Sequence, residues 1–197
     1  MVLLGEGRVG KTSLLLRYVE NTFSETQTPT VQATYLSKKV ACDDGAFVET
    51  HVWDTAGQER FHALGPIYYR DADAAVLVYD ITDQDSFARV KSWVKELRQI
   101  NGNDIALAVC ANKSDLERLR QVSNEDGEAY AKSIGAEFFS TSAKANRCVE
   151  AVFVSVAKRL EKKHRDAGDV GGKSQSRGRT SLKIADEEVK PKGYECC

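Results

Sequence analysis

Two uninterrupted apolar runs, Ala74 to Tyr79 and Ile105 to Ala111, constrain this chain more than any other feature. A strand with one face in water alternates polar and apolar residues. A strand without alternation is covered on both faces, as in the centre of a parallel sheet packed between helices. Neighbouring segments supply those helices: Leu14-Leu15 with Tyr18-Val19 gives an amphipathic helix over Lys11 to Glu20, and Phe87, Val90, Val94 and Leu97 recur at helical spacing between the two runs. A helix marked by Val149, Val152, Phe153, Val156 and Leu160 follows a last strand at Glu137 to Thr141, and Ser123 with Asp126 caps a shorter helix ending before Gly135. Val2 to Leu4 begins a first strand, while Tyr35 to Cys42 and Phe47 to Trp53 flank Asp43-Asp44-Gly45 as a hairpin. This order predicts an α/β fold: a six-stranded, mainly parallel sheet with one antiparallel edge strand and helices on both faces.

The chain has 197 residues, enough for one domain and a tail. Composition changes near His164: residues 164–197 hold only Val170, Leu182, Ile184, Val189 and Tyr194 as sizeable apolar side chains. The expected division is a domain over 1–163 and a disordered tail over 164–197. With 28 Lys and Arg against 29 Asp and Glu, no global field draws the chain to nucleic acid. No apolar run approaches a membrane span, so a cytoplasmic location is expected. Cys42, Cys110 and Cys148 have no metal-ligand spacing and read as small core or near-surface residues, and the histidines suggest no zinc site.

Gly5-Glu6-Gly7-Arg8-Val9-Gly10-Lys11-Thr12 matches G-x-x-x-x-G-K-[ST], placed after a strand and before a helix. Backbone N–H groups of such a loop and of the following helix start can surround phosphate oxygens, with Lys11 as a point charge and the Thr12 hydroxyl as a ligand for Mg²⁺. The motif implies nucleotide binding without choosing the base.

That choice rests on Asn112-Lys113-Ser114-Asp115, directly after the second apolar run. Ligands in open α/β sheets bind at strand carboxyl ends. An ionised Asp115 can accept from guanine N1–H and the 2-amino group, whereas adenine offers a lone pair at N1 and would leave the carboxylate unpaired. Asn112 can tie the base site to the phosphate loop. Ser142-Ala143-Lys144 stands after the next strand as a second base loop.

With Trp53-Asp54-Thr55-Ala56-Gly57-Gln58-Glu59 between the phosphate and base loops, residues 2 to about 163 resemble the Ras superfamily of small GTPases, whose fold is the P-loop small G domain. Gln58-Glu59-Arg60-Phe61, Tyr68-Tyr69-Arg70, Tyr79-Asp80-Ile81-Thr82 and the terminal Cys-Cys are similar to the Rab family in particular. His62 to Arg70 and Trp93 to Arg98 are most similar to its endosomal members beside the Rab-five group.

The resemblance implies a role for each matching residue. Thr30 would join Mg²⁺ when the γ-phosphate is present, Asp54 would hold the metal through water, and the Gly57 amide would contact the γ-phosphate. Gln58 would orient the attacking water, with Lys11 as the phosphate cation. Ser13 would contact the α-phosphate, Phe23 would pack on the guanine, and Ala143 would offer its N–H to the base oxygen. Gly7 would leave room for hydrolysis, and Tyr35, Trp53 and Tyr68 would present the ordered state to effectors. For Trp53, core and interface remain equal readings from the sequence. Residues 21–34 and 57–70 would order around the γ-phosphate and relax after hydrolysis. Slow GTP hydrolysis stimulated by a GTPase-activating protein, nucleotide release by an exchange factor, and a monomeric state are expected.

Two rivals share the phosphate loop. A P-loop ATPase or small-molecule kinase would need an adenine site in place of Asn112 to Asp115. A nucleotide-locked scaffold without turnover would lack Gly7, Thr30 and Gln58. Cys196-Cys197 matches the double-cysteine ending that Rabs carry for geranylgeranylation, which implies escort and GDP-dissociation-inhibitor partners and cycling to the cytoplasmic face of endosomal membranes. Only Met1 to Leu4 precede Gly5, fewer than family members carry, so the first strand is expected to be truncated and an upstream apolar segment to add stability.

Overall fold

In a computed structural model, which describes residues 1–41, 47–57 and 65–169, the two apolar runs become adjacent parallel strands. In chain order the elements are β1 (Val2–Leu4), α1 (Lys11–Glu20), β2 (Thr34–Ala41), β3 (Phe47–Asp54), α2 (Gly65–Tyr69), β4 (Ala74–Asp80), α3 (Gln84–Asn101), β5 (Ala106–Asn112), a 3-10 helix (Ser114–Leu119), α4 (Asn124–Ser133), β6 (Glu137–Ser140) and α5 (Val149–Asp169). The sheet order is β2-β3-β1-β4-β5-β6, and among the described strands only the β2–β3 pair is antiparallel. The expected six-stranded sheet with its antiparallel edge is therefore present. The connection containing Asp43-Asp44-Gly45 lies outside the described residues.

β4 shows why the central runs lack alternation. Its successive side chains point to opposite faces. Val76 and Val78 enter a core beneath α1 and α5, with Leu14, Tyr18, Val152 and Phe153. Ala75, Leu77 and Tyr79 enter a second core beneath α3 and α4, with Phe87, Val90, Val94 and Leu97. Tyr18 stacks on Phe153 with ring centroids 4.0 Å apart, locking α1 to α5.

Polar side chains set the helix starts. The Asp83 carboxylate accepts from the N–H groups of Asp85 and Ser86 and caps α3. Ser123 accepts from the Asp126 N–H at 3.0 Å and donates to its carboxylate at 2.7 Å, the arrangement its spacing implied.

Three features differ from the sequence reading. α5 continues to Asp169, so the division expected at residues 163 and 164 falls within a helix; residues 170–197 lie outside the described part. α2 and the 3-10 helix are short and carry no apolar periodicity, so the pattern did not announce them. Cys110 is a free buried thiol, as a core residue should be, while Cys148 is half-buried and stands in a disulfide, a bond that its reading as a small core or near-surface residue did not include. No described helix is long and apolar enough to cross a membrane.

Candidate nucleotide site

β1 ends at Leu4, and the chain then turns through residues 5–10 into the start of α1. Gly10 occupies the N-cap position with φ 98° and no side-chain cap, so the first N–H groups of α1 face outward without internal partners. Such a terminus attracts an anion through its free donors and its dipole. A Cβ on Gly10 would stand 2.4 Å from Asn112 Nδ2, so the loop closes on the base loops only with glycine there.

Lys11 is buried, and its ammonium donates to the carbonyls of Gly5 at 2.8 Å and Glu6 at 3.0 Å. Burial lowers its pKa from 10.5 to about 8, against the opposing pull of Asp54 and Glu6. A phosphate would supply the charge this ammonium lacks. Gly57 approaches it closely: a Cβ there would sit 2.3 Å from Lys11 Nζ and 2.5 Å from the Glu6 carbonyl oxygen.

Three oxygens converge beside the loop. Thr12 Oγ1 donates to Asp54 Oδ2 at 2.5 Å and lies 2.6 Å from Thr30 Oγ1. Asp54 is buried, its pKa is raised by that burial, and its Oδ1 has no hydrogen-bond partner among the described residues. A buried carboxylate oxygen without a donor is costly unless something positive meets it. This donor set of two hydroxyls and a carboxylate suits a hard cation with oxygen ligands.

At the other end, Asn112 donates to the Val9 carbonyl at 2.8 Å and its Oδ1 accepts from the Thr141 hydroxyl. Asp115 Oδ1 accepts from the Ser142 hydroxyl, which fixes the carboxylate's orientation across two loops. Lys113 pairs with Asp80 at 2.5 Å. Arg17 donates to the Ala143 carbonyl at 2.9 Å and lies 5.9 Å from the Phe23 ring centroid, so α1 supports both. Lys144 reaches Glu25 at 2.5 Å, 119 positions away.

One cleft of about 950 Å³ joins the two ends, lined by Gly7, Gly10, Lys11, Thr12, Ser13, Phe23, Thr30, Gly57, Asn112, Lys113, Asp115, Ala143 and Lys144 among others. Thirteen separately named sequence positions thus meet on one surface. Gly5, Val9, Ser142 and Asp54 stand behind that surface and brace it through the contacts above. Gln58 lies outside the described residues. Glu25, Arg8 and Leu116 also line the cleft, and no sequence signal marked them.

The profile of the Ras family matches residues 1–162. The chain belongs to the Ras family. Within it, the chain is 51% identical over 202 residues to Ras-related protein Rab-21 of Homo sapiens, covering 100% of this chain and 89% of that protein. The Canis lupus familiaris protein of the same name is equally similar, with 90% of its length covered. Ras-related protein Rab-21 of Dictyostelium discoideum is 51% identical over 160 residues, covering 81% of this chain and 75% of that protein. The chain is accordingly a Rab small GTPase, which binds guanine nucleotide and hydrolyses GTP. Rab GTPases act with regulators and effectors.

In this Rab GTPase two aromatic residues of the β2–β3 pair, Tyr35 and Trp53, lie in the open. Tyr35 and Trp53 oppose each other in the β2–β3 register, with ring centroids 5.1 Å apart, and Tyr68 lies 5.5 Å from Trp53. Tyr35 is 45% and Trp53 36% exposed, which decides between the two readings of Trp53 in favour of surface. His51 stacks on Tyr35 and donates to or accepts from its hydroxyl. Val31 and Ile67 are exposed apolar residues of the same Rab GTPase. Nothing in their sequence neighbourhoods singled out His51, Val31 or Ile67.

Proposed function

We propose that this Rab GTPase is a Mg²⁺-dependent switch that hydrolyses GTP slowly and recruits effectors on endosomal membranes. The observation that carries the metal is the partnerless Asp54 Oδ1 beside Thr12 and Thr30. Thr12 and Thr30 would hold Mg²⁺ directly and Asp54 through water. When bound, the cation neutralises charge on the phosphates.

The chain's own residues do the rest by position. Free N–H groups at the start of α1 and the Lys11 ammonium hold the phosphates. Gly57 leaves room for its amide to reach the γ-phosphate, and Thr30 brings the segment before β2 against it. Gln58 orients the attacking water. Asp115 selects guanine, with Asn112, Lys113, Ser142, Ala143 and Lys144 fixing the base loops and Phe23 covering the ring. No arginine from the segments around Thr30 or Gly57 is assigned to the transition state, so a GTPase-activating protein supplies that charge.

Loss of the γ-phosphate removes the ligand that Thr30 and Gly57 share, and both segments relax. Tyr35, Trp53 and Tyr68 then no longer form one surface for effectors. Cys196 and Cys197 carry geranylgeranyl groups, for which escort and GDP-dissociation-inhibitor proteins are the soluble carriers; the endosomal location rests on the similarity to the Rab-21 proteins. Single-turnover phosphate release from GTP tests the chemistry: Gln58→Leu should slow it by tenfold or more, on the order of the loss of one positioned group. An unchanged rate would remove Gln58 from the mechanism.

A further inference from the structure

Away from the nucleotide cleft, and sharing no residue with it, a groove of about 450 Å³ opens between α3 and α4. Lys91, Lys95 and Arg98 line it over successive turns of α3, with Val94, Tyr130 and Ile134 as its apolar part, and no carboxylate of the described residues contributes. Lys91 and Lys95 stand four residues apart on one helix face, where like charges repel. Neither has an ion-pair partner among the described residues, whereas Arg89, Lys113, Arg120 and Lys144 each have one. Lys91 instead rests 5.2 Å from the Phe87 centroid and 5.7 Å from that of Tyr130. The groove is thus cationic with an apolar floor, a surface that fits an acidic segment carrying apolar residues.

This chain has one such segment. Asp186-Glu187-Glu188 is its only run of three successive carboxylates, and Ile184 and Val189 stand on either side. Lys183 and Lys190 bracket the segment, so attraction comes from its centre. The helix that carries its tether is tied to one end of the groove. Arg159 of α5 donates to the Gly135 carbonyl at 3.1 Å, next to Ile134, whose carbonyl accepts from Arg98 at 2.8 Å. Lys163, one turn further, donates to the Asp104 carbonyl at 2.6 Å. From Arg159 to Asp169 the helix advances about 15 Å, and the groove spans two turns of α3, about 11 Å. Residues 170–183 reach up to about 48 Å when extended, and about 20 Å on average as a flexible coil. The return path is within that range, and a short tether gives an effective concentration of about a millimolar.

We propose that the segment Ile184 to Val189 docks in the α3–α4 groove, with Asp186, Glu187 and Glu188 against Lys91, Lys95 and Arg98, and Ile184 and Val189 on the apolar floor. The tail then lies along this face of the domain. Docking is electrostatic in selection and intramolecular, so it weakens as salt shortens the screening length.

Amide resonances of the isotopically labelled full chain, loaded with GDP, report the docked segment directly. The triple variant Asp186→Lys, Glu187→Lys, Glu188→Lys should shift the amides of α3 and α4 that border the groove, and about 0.5 M salt should shift the wild type the same way. Adding Lys91→Glu and Lys95→Glu to the triple variant should move them back toward the wild type. A synthetic peptide of residues 182–190 should bind the triple variant at least about fivefold more tightly than the wild type, whose own tail competes. Identical α3 and α4 resonances in the wild type and the triple variant would overturn the proposal. So would phosphatidylserine-containing vesicles shifting these amides equally in both proteins with no tail-dependent difference, which would assign the groove to a lipid surface.

Discussion

Asn112 donates through Nδ2 to the carbonyl oxygen of Val9, 2.8 Å away and 103 positions earlier in the chain. With Thr141 donating to its Oδ1, one buried amide sets the spacing between the phosphate loop and both base loops. Asn112→Ala leaves the Val9 carbonyl and the Thr141 hydroxyl without these partners, a loss of roughly 1–3 kcal/mol per buried group. The expected outcome is GDP dissociation at least about tenfold faster together with a melting temperature lower by several degrees. Stopped-flow release of a fluorescent GDP and a thermal melt measure the two.

Asp115 is held by the Ser142 hydroxyl with its carboxylate at the base end of the cleft. Asp115→Asn replaces two acceptors by one acceptor and a donor. Guanine selectivity should weaken and a base with a carbonyl at its 2-position should gain, by roughly the factor of a hundred or more that an unpaired buried polar group produces. Competitive titration with GDP, xanthosine diphosphate and ATP is the measurement. Equal affinity of the wild type for ATP and GTP would refute the assignment of Asp115 to the base.

Lys11 gives the site a pH dependence. Its pKa in the nucleotide-free protein is lowered to about 8 by burial, against 10.5 in an ordinary lysine. Below about pH 8 the group is charged folded and unfolded, and its burial cost is fully present. Between about 8 and 10.5 the unfolded chain keeps a proton that the folded protein sheds, so nucleotide-free stability from this group rises with pH. Nucleotide binding runs the opposite way, because phosphates favour the ammonium. GDP affinity should fall by up to about tenfold per pH unit above 8, with uptake of a proton on binding. Calorimetry near pH 9 in buffers of different ionisation enthalpy detects that proton.

Asp54 separates stability from function. Its carboxylate is buried, one oxygen has no donor among the described residues, and its pKa is raised. The charged form is therefore a burden on the nucleotide-free fold at neutral pH that eases as pH falls toward its raised pKa. Asp54→Asn keeps an acceptor for Thr12 and removes the charge. The nucleotide-free protein should gain on the order of 1 kcal/mol. Stabilisation of bound GDP by added Mg²⁺ should fall by at least about tenfold in the same variant. Melts without nucleotide, and GDP release with and without chelator, check both halves.

The sequence by itself determined much of this Rab GTPase. Gly5 to Thr12, Asn112 to Asp115 and Ser142 to Lys144 are contiguous motifs whose chemistry is local. β4 and β5 were legible because apolar side chains on both faces leave one pattern, and α1 spans Lys11–Glu20 as its periodicity required. α5 was read short because residues 164–169 bring no sizeable apolar side chain. It continues because charged side chains such as Lys and Arg favour helix, because Arg165 pairs with Glu161 four residues back, and because Lys163 bonds Asp104.

Tertiary structure alone decided the rest. The Asn112 bond to Val9, the Lys144 pair with Glu25, the partnerless Asp54 oxygen and the exposure of Trp53 all depend on residues far apart in the chain meeting after the sheet is assembled. Periodicity records which face of an element is apolar. It does not record which distant side chain will stand opposite, and that is set by strand order, register and helix packing together.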